Sequence, residues 1–141
     1  MKTLKSIMLG MSLLLVFSAA NATETPAVAL TKNYTINTYI DAMTHGKLNG
    51  INNVLDQNAK FSILRGKKVV SYGKQEVIDH LQINKDVEMD CTTNTSIVES
   101  NADYTLVKVD MNYHNSIQSN YVTIINTGEG WKITNVYSVF K

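Results

Sequence analysis

Four tyrosines and a methionine are the side chains best placed for ligand chemistry in this sequence. Tyr39, Tyr113, Tyr121 and Tyr137 each fall on an apolar face of a predicted helix or strand, and Met111 shares a face with Tyr113. A tyrosine buried on such a face must find a partner for its hydroxyl group. Two interpretations follow: the rings are core residues with satisfied hydroxyls, or they line a pocket that holds a flat, weakly polar molecule.

Asp90, Asp110 and His80 are the candidates for acid–base chemistry. A general base must lie within hydrogen-bonding reach of the proton it removes, so its side chain has to face a pocket. Asp90 alternates with Cys91 and Asp110 with Met111, which turns both carboxylates away from the apolar face of their strands. A one-residue bulge would reverse these faces, and His80 lies on a helix that could overlook a cavity. A catalytic role for the three residues therefore stays open.

The sequence lacks the spacings of metal and phosphate sites. It contains no Cys-x-x-Cys pair, no His-Glu-x-x-His helix and no glycine-rich phosphate loop. No two of the three histidines are spaced as ligands on one element, so we expect neither a metal nor a cofactor. The single cysteine, Cys91, cannot form an internal disulfide, and we expect it to be a buried apolar side chain.

Composition excludes several classes of protein. The chain has 141 residues, enough for one domain, and its 44% apolar and 18% charged residues make it too apolar to be disordered. The net charge is +1, and it becomes 11 − 12 = −1 if Lys2 and Lys5 are removed with a leader. A nearly neutral chain has no strong field to attract nucleic acid or an anionic membrane surface. We therefore expect no nucleic-acid partner.

The first 22 residues have the three parts of a secretory signal. Lys2 and Lys5 precede an apolar stretch over residues 7–20, and Ala20-Asn21-Ala22 places small residues at the −3 and −1 positions of a cleavage site. The stretch is shorter than the roughly 18–20 residues of a membrane span. We expect cleavage between Ala22 and Thr23, export to the periplasm or medium, and no membrane span in the mature chain. A flexible tail over 23–30 and one domain over 31–141 would follow.

Hydrophobic periodicity predicts the elements that must position these residues. Helical spacing indicates a helix from Thr31 to Gly46, a shorter one around 48–55, and a third that begins after Gly73. Alternation indicates strands at 59–64, 69–72, 87–99, 104–113, 119–126 and 130–139. The last four strands are joined by short turns and must be antiparallel neighbours. The fold class is therefore α+β, with three helices at one end of a mostly antiparallel sheet of about six strands.

The strand at 119–126 is apolar on both faces. Tyr121 and Ile125 lie on one face, while Val122 and Ile124 lie on the other. A sheet that is buried on both sides either encloses a cavity on one face or dimerises through the other. We expect a homodimer through the sheet.

Four segments in order along the chain resemble the nuclear transport factor 2-like superfamily, a group of cystatin-like α+β cones. Specifically, the sequence is similar to the small secreted bacterial members labelled SnoaL-like or lumazine-binding. The segments are Tyr39-Ile40-Asp41-Ala42 with Gly46-Lys47-Leu48, Asp56-Gln57-Asn58-Ala59-Lys60-Phe61, Gly73-Lys74-Gln75-Glu76-Val77-Ile78, and Gly130-Trp131-Lys132-Ile133. Together they span the whole predicted domain.

The resemblance implies a strongly curved sheet wrapped around the helices as a cone-shaped barrel, a conical pocket between them, and a dimer through the back of the sheet. Enzymatic relatives such as ketosteroid isomerases and polyketide cyclases place an acid or an Asp/His pair in that pocket. Many other members are non-catalytic binding or assembly modules, so the fold does not choose an activity.

We therefore expect an exported, non-catalytic domain that binds a small apolar or aromatic molecule in its cone. The expected lining residues are Tyr39, Met111, Tyr113, Tyr121 and Tyr137. Two alternatives stay open. One is a SnoaL-like isomerase or cyclase that uses Asp90, Asp110 or His80, and the other is a dimeric interaction module with no ligand.

Overall fold

A computed structural model describes residues 29–141 as three helices and one six-stranded sheet. The helices are α1 (Lys32–His45), α2 (Ile51–Val54) and α3 (Lys74–Ile83). The strands are β1 (Leu55–Arg65), β2 (Lys68–Gly73), β3 (Thr92–Ser100), β4 (Tyr104–Asn112), β5 (Ile117–Thr127) and β6 (Gly130–Phe140). The predicted signal peptide and residues 23–28 of the predicted tail lie outside the described residues. Within 29–141, no helix is both long and apolar enough to cross a membrane.

The limits predicted for α1 are confirmed, and both ends are capped. At the start, the hydroxyl of Thr31 accepts a hydrogen bond from the amide of Tyr34 at 3.1 Å. At the end, Gly46 adopts the left-handed conformation with φ of 62°. The carbonyl of Gly46 accepts a hydrogen bond from the amide of Asp86 at 3.1 Å, which ties the end of α1 to the segment after α3.

The sheet has the strand order β2-β1-β6-β5-β4-β3. Strands β3 to β6 form the predicted antiparallel meander, and β1 pairs antiparallel with β2 and parallel with β6. The parallel pairing is possible because α3 and four further strands separate β1 from β6 along the chain. The α+β class is confirmed. The sheet is open, with β2 and β3 as its edges, rather than closed into a barrel.

The hydrophobic core lies between the helices and the side of the sheet that they cover, here called the inner face. In β4, Val107, Val109 and Met111 are buried and alternate with partly exposed residues, as the sequence predicts. The opposite side is called the outer face. The apolar side chains with zero exposure come from α2 and the strands β1, β5 and β6: Val54, Leu55, Val122, Ile124 and Ile133.

One extra residue in β6 changes which side chains face the helices. Asn135 and Ile133 pair with consecutive residues of β5, so Thr134 forms a bulge between them. Ile133 and Val136 are consequently both buried although they lie three residues apart. Tyr137, which the sequence predicts to line the pocket, lies on the opposite face from Ile133, because the bulge reverses the alternation after Thr134.

Two predicted element limits were also wrong. The second helix was predicted around 48–55, but α2 is a single turn and Leu55 already begins β1. The strand predicted from residue 87 begins at Thr92, because the preceding segment is bonded to the end of α1 instead of to the sheet. The amide of Met89 donates to the carbonyl of Thr44 at 2.7 Å. Val87 and Met89 alternate with charged residues since both line the cavity described next.

Candidate functional site

A cavity of about 480 Å³ lies between the inner face of the sheet, α1, α3 and the segment after α3. Both α1 and α3 line the cavity with residues of one side of the helix, spaced three or four positions apart. Its apolar lining residues are Ala42, Met43, Phe61, Ile63, Tyr72, Val77, Leu81, Val87, Met89 and Met111. Its polar lining residues are Tyr39, Arg65, Glu76, His80, Asn84, Tyr113, Gln118, Asn120 and Ser138. The arrangement is an apolar pocket with a few polar groups, the usual composition of a small-molecule site.

Tyr39 brings a buried hydroxyl group to this cavity. The residue is 2% exposed, and its hydroxyl makes no hydrogen bond with residues 29–141. No fully buried side-chain oxygen in that range lacks a partner, so the Tyr39 hydroxyl must open onto the cavity. Burial raises the pKa of Tyr39 strongly, and nearby Tyr113 adds a smaller rise. The hydroxyl therefore stays protonated and can donate to a ligand.

Tyr113 and Cys91 form a second polar pair beside Tyr39. Tyr113 lines the cavity just beyond the end of β4 and is half-buried. Burial raises the pKa of the Cys91 thiol, and a hydrogen bond with the Tyr113 hydroxyl lowers it by a smaller amount. Burial likewise raises the pKa of Tyr113, with added contributions from Cys91. Both groups are therefore neutral near pH 7.

The structure brings Tyr39, Met111 and Tyr113 together on the cavity wall, but it does not bring Tyr121 and Tyr137 there. Tyr121 of β5 pairs directly with Tyr137 of β6, and both alternate with residues that face inward. The two rings therefore share the outer face of the sheet. Ligand binding by the three residues on the wall stays a prediction.

Sequence reasoning missed a polar row on the inner face, formed by Gln118, Asn120 and Ser138. Asn120 is 1% exposed, and its side-chain carbonyl accepts hydrogen bonds from Ser138 and from Gln118, the latter at 2.9 Å. Its amide group donates to the Val109 carbonyl at 3.4 Å and to the Met111 sulfur at 3.3 Å. The available signal was the alternation in β5, where two amides share the face of otherwise apolar residues.

The family model described as "Putative lumazine-binding" matches residues 29–138, which include every residue of the cavity wall. The chain belongs to this family. The chain has a nuclear transport factor 2-like fold, which confirms the resemblance seen in the four sequence segments. No curated protein matches the sequence significantly.

Solved nuclear transport factor 2-like structures share this fold at low sequence identity. A protein of unknown function from Silicibacter pomeroyi is 17% identical, with a TM-score of 0.62 over 77% of this chain and 90% of that chain. One from Shewanella baltica is 8% identical, with a TM-score of 0.61 over 77% and 90%. A nuclear transport factor 2-like protein from Cytophaga hutchinsonii is 12% identical, with a TM-score of 0.61 over 76% of this chain and 93% of that chain. These similarities show the fold alone.

In this nuclear transport factor 2-like chain, neither Asp90 nor Asp110 lines the cavity. Asp90 is exposed in the connection before β3. Asp110 lies on the outer face, where it accepts a hydrogen bond from Ser119 at 2.6 Å and lies 3.5 Å from the Lys108 ammonium. The Ser119 hydrogen bond in particular holds the pKa of Asp110 below its ordinary value. The predicted outward orientation of Asp110 therefore agrees with the structure.

His80 does line the cavity, from an exposed position on α3 one turn after Glu76. The Glu76 carboxylate accepts a hydrogen bond from the Gly73 amide at 3.2 Å. One of its oxygens is therefore already used as an acceptor at the start of α3. Among residues 29–141, no group of three or more His, Cys, Asp or Glu side chains is placed to hold a metal ion.

Proposed function

We propose that this protein is an exported binding domain that holds a small, flat, apolar or aromatic molecule in its cavity. The observation that carries the proposal is the apolar cavity of about 480 Å³ with the Tyr39 and Tyr113 hydroxyls on its wall. Such a volume lies within the range of roughly 300–1,000 Å³ that small-molecule sites occupy. The family's lumazine-binding description supports a small aromatic ligand as well.

The electrostatics of the wall favour a neutral ligand. Burial raises the pKa of both Tyr39 and Tyr113, so their hydroxyls remain neutral donors. An ion would lose its hydration in the apolar part of the cavity without meeting an opposite charge there. The ionisable side chains of the lining, those of Arg65, Glu76 and His80, belong to exposed residues.

A binding role is favoured over an isomerase or cyclase role by the placement of the acids. Proton abstraction requires a general base, such as a carboxylate or an imidazole, within reach of the ligand. Asp90 and Asp110, the acids that the sequence offers for this task, do not line the cavity. Glu76 does line it, but its carboxylate is exposed and accepts a hydrogen bond from the Gly73 amide at the start of α3. His80 remains on the wall, where it can contact a ligand.

The outer face supports the further proposal that the protein is a homodimer. Tyr121 and Tyr137 are directly paired there, and Leu64, Leu106 and Val139 lie on the same face by alternation. A sheet that carries these apolar side chains on the side away from its helices is suited to pack against a second copy.

The test is a fluorescence titration with N-phenyl-1-naphthylamine, a neutral aromatic dye, on a matched pair of variants. Ile63 lines the cavity, and its neighbour Leu64 lies on the opposite face of β1. Ile63→Trp should fill part of the cavity and weaken dye binding at least fivefold. Leu64→Trp adds the same ring outside the cavity and should bind the dye like the wild-type protein.

Two results would contradict the proposal. One is the absence of dye binding by the wild-type protein. The other is weakening by Leu64→Trp without weakening by Ile63→Trp, which would place the dye on the outer face. Circular dichroism of each variant verifies that the fold is unchanged.

A further inference from the structure

Gln118 is the member of the polar row on the inner face that keeps both a hydrogen-bond donor and an acceptor for a ligand. It stands on β5 opposite Met111, and its side chain is half-buried in the cavity wall. One N–H of its amide donates to Asn120 at 2.9 Å. Its carbonyl oxygen and its second N–H have no hydrogen-bond partner among residues 29–141.

Asn120 cannot bind a ligand in the same way, because its amide is already saturated. Its carbonyl oxygen accepts from two groups, Ser138 and Gln118, and its two N–H groups donate to Val109 and Met111. An asparagine amide has four such positions, and all four are in use. Asn120 is also 1% exposed, so it acts as a fixed support that orients the amide of Gln118.

We propose that Gln118 is a specificity-determining residue that selects ligands with a hydrogen-bond donor next to an acceptor, as in a cyclic amide or urea. The inference rests on the proposed binding function and narrows its ligand class. A planar primary amide with one free donor and one free acceptor is complementary to such an edge. The Asn120 support fixes its orientation in advance, which reduces the entropy lost on binding.

The apolar walls beside Gln118 strengthen this selectivity. Met111 lies opposite Gln118 across the β4–β5 pair, and Ile63 lies beside Ser138 across the β1–β6 pair. A ligand that covers the row without a donor and an acceptor would leave the Gln118 amide buried and unpaired. Hydrocarbons of the same outline should therefore bind less well than cyclic amides.

Isothermal titration calorimetry with two closely related probes tests the proposal. The probe 2-quinolinone has an N–H next to a carbonyl, and 1-methyl-2-quinolinone has the same rings without the N–H. The wild-type protein should bind 2-quinolinone about tenfold more tightly, the order expected for one or two hydrogen bonds in a desolvated site. Gln118→Met keeps the length of the side chain and should bring the ratio of the two affinities close to one.

Gln118→Leu is a second variant without the amide and should lose the preference as well. Gln82→Met, on the exposed side of α3, is the matched control and should keep the tenfold preference. Equal binding of both probes by the wild-type protein, or a preference that survives in Gln118→Met, would overturn the role of Gln118 while leaving the binding function intact. If the wild-type protein binds N-phenyl-1-naphthylamine but neither quinolinone, the role of Gln118 fails and the binding function stands. If it binds none of the three probes, the binding function fails as well.

Discussion

Replacing Tyr113 with phenylalanine removes one hydroxyl group that has two roles in the structure. Tyr113 lies on the cavity wall, and its hydroxyl interacts with the Cys91 thiol in a way that lowers the pKa of that thiol. Burial raises the pKa of Cys91, and the Tyr113 hydrogen bond opposes that rise. Tyr113→Phe should therefore raise the pKa of Cys91 further and weaken ligand binding. The ring itself stays, so the domain should remain folded.

The size of both effects follows from the value of one hydrogen bond. A net contribution of about 0.5–1.5 kcal/mol corresponds to a factor of roughly two to ten in an equilibrium constant. At a pH below the pKa of the thiol, the fraction of thiolate should fall by that factor. Alkylation of Cys91 should slow by the same factor, because the thiolate is the nucleophile. Affinity for N-phenyl-1-naphthylamine should fall within the same range if the dye contacts the hydroxyl.

The assay is alkylation by iodoacetamide between pH 6 and pH 10, followed by intact mass. The chain has a single cysteine, so the added mass reports on one thiol. Tyr121→Phe is the matched control, since that ring lies on the outer face and should leave the profile unchanged. The reasoning is refuted if the pH dependence of Cys91 alkylation in Tyr113→Phe equals that of the wild-type protein, or is shifted to lower pH.

Two further predictions concern the scaffold of the site. Gly46→Ala should destabilise the protein by about 3 kcal/mol or more, because φ is 62° and a Cβ would lie 2.5 Å from a backbone nitrogen. Gly66 has nearly the same conformation, with φ of 63°, but a Cβ there would meet no atom within 4 Å. Urea denaturation of Gly66→Ala should therefore show a loss of only about 1–2 kcal/mol in unfolding free energy. Equal losses in the two variants would contradict this explanation. Ser119→Ala should cost about 1 kcal/mol at pH 7, because the Ser119 hydroxyl stabilises the Asp110 carboxylate. Since the folded-state pKa of Asp110 is lowered, that stability is present above its unfolded value of about 3.9 and disappears as the pH falls through the folded value. A difference in unfolding free energy between Ser119→Ala and wild type that persists undiminished at pH 2 would refute it.

The sequence was most informative where a regular pattern meets a clear cap. Helical spacing from Thr31 and the stop at Gly46 predicted both ends of α1, and glycine suits that end because it tolerates the left-handed conformation. The cap by the Thr31 hydroxyl is seen only in the structure. The regular alternation of β4 predicted the buried positions of Val107, Val109 and Met111. Tyr113 continues that alternation, and Tyr39 shares the apolar face of α1 at helical spacing, so the sequence placed both on the side that lines the cavity.

The sequence was less informative where tertiary contacts decide the direction of a side chain. A bulge at Thr134 depends on pairing with β5, and no residue type marks it, so Tyr137 was placed on the wrong face. The segment with Val87 and Met89 alternates like a strand, but its hydrogen bonds go to the end of α1. The polar row was missed because Asn120 acquires its role from Ser138, a residue 18 positions later that only the folded sheet brings beside it.

Native mass spectrometry of the protein purified from the exported fraction of its native host tests the central claim most directly. We predict a small-molecule adduct on the wild-type protein that is lost in Ile63→Trp and kept in Leu64→Trp. The mass of the adduct would identify the ligand, and the mass of the polypeptide would show whether residues 1–22 have been removed and whether two copies are present. A wild-type protein that carries no adduct, or an adduct that survives in Ile63→Trp as well as in the wild type, would contradict a ligand-binding cavity.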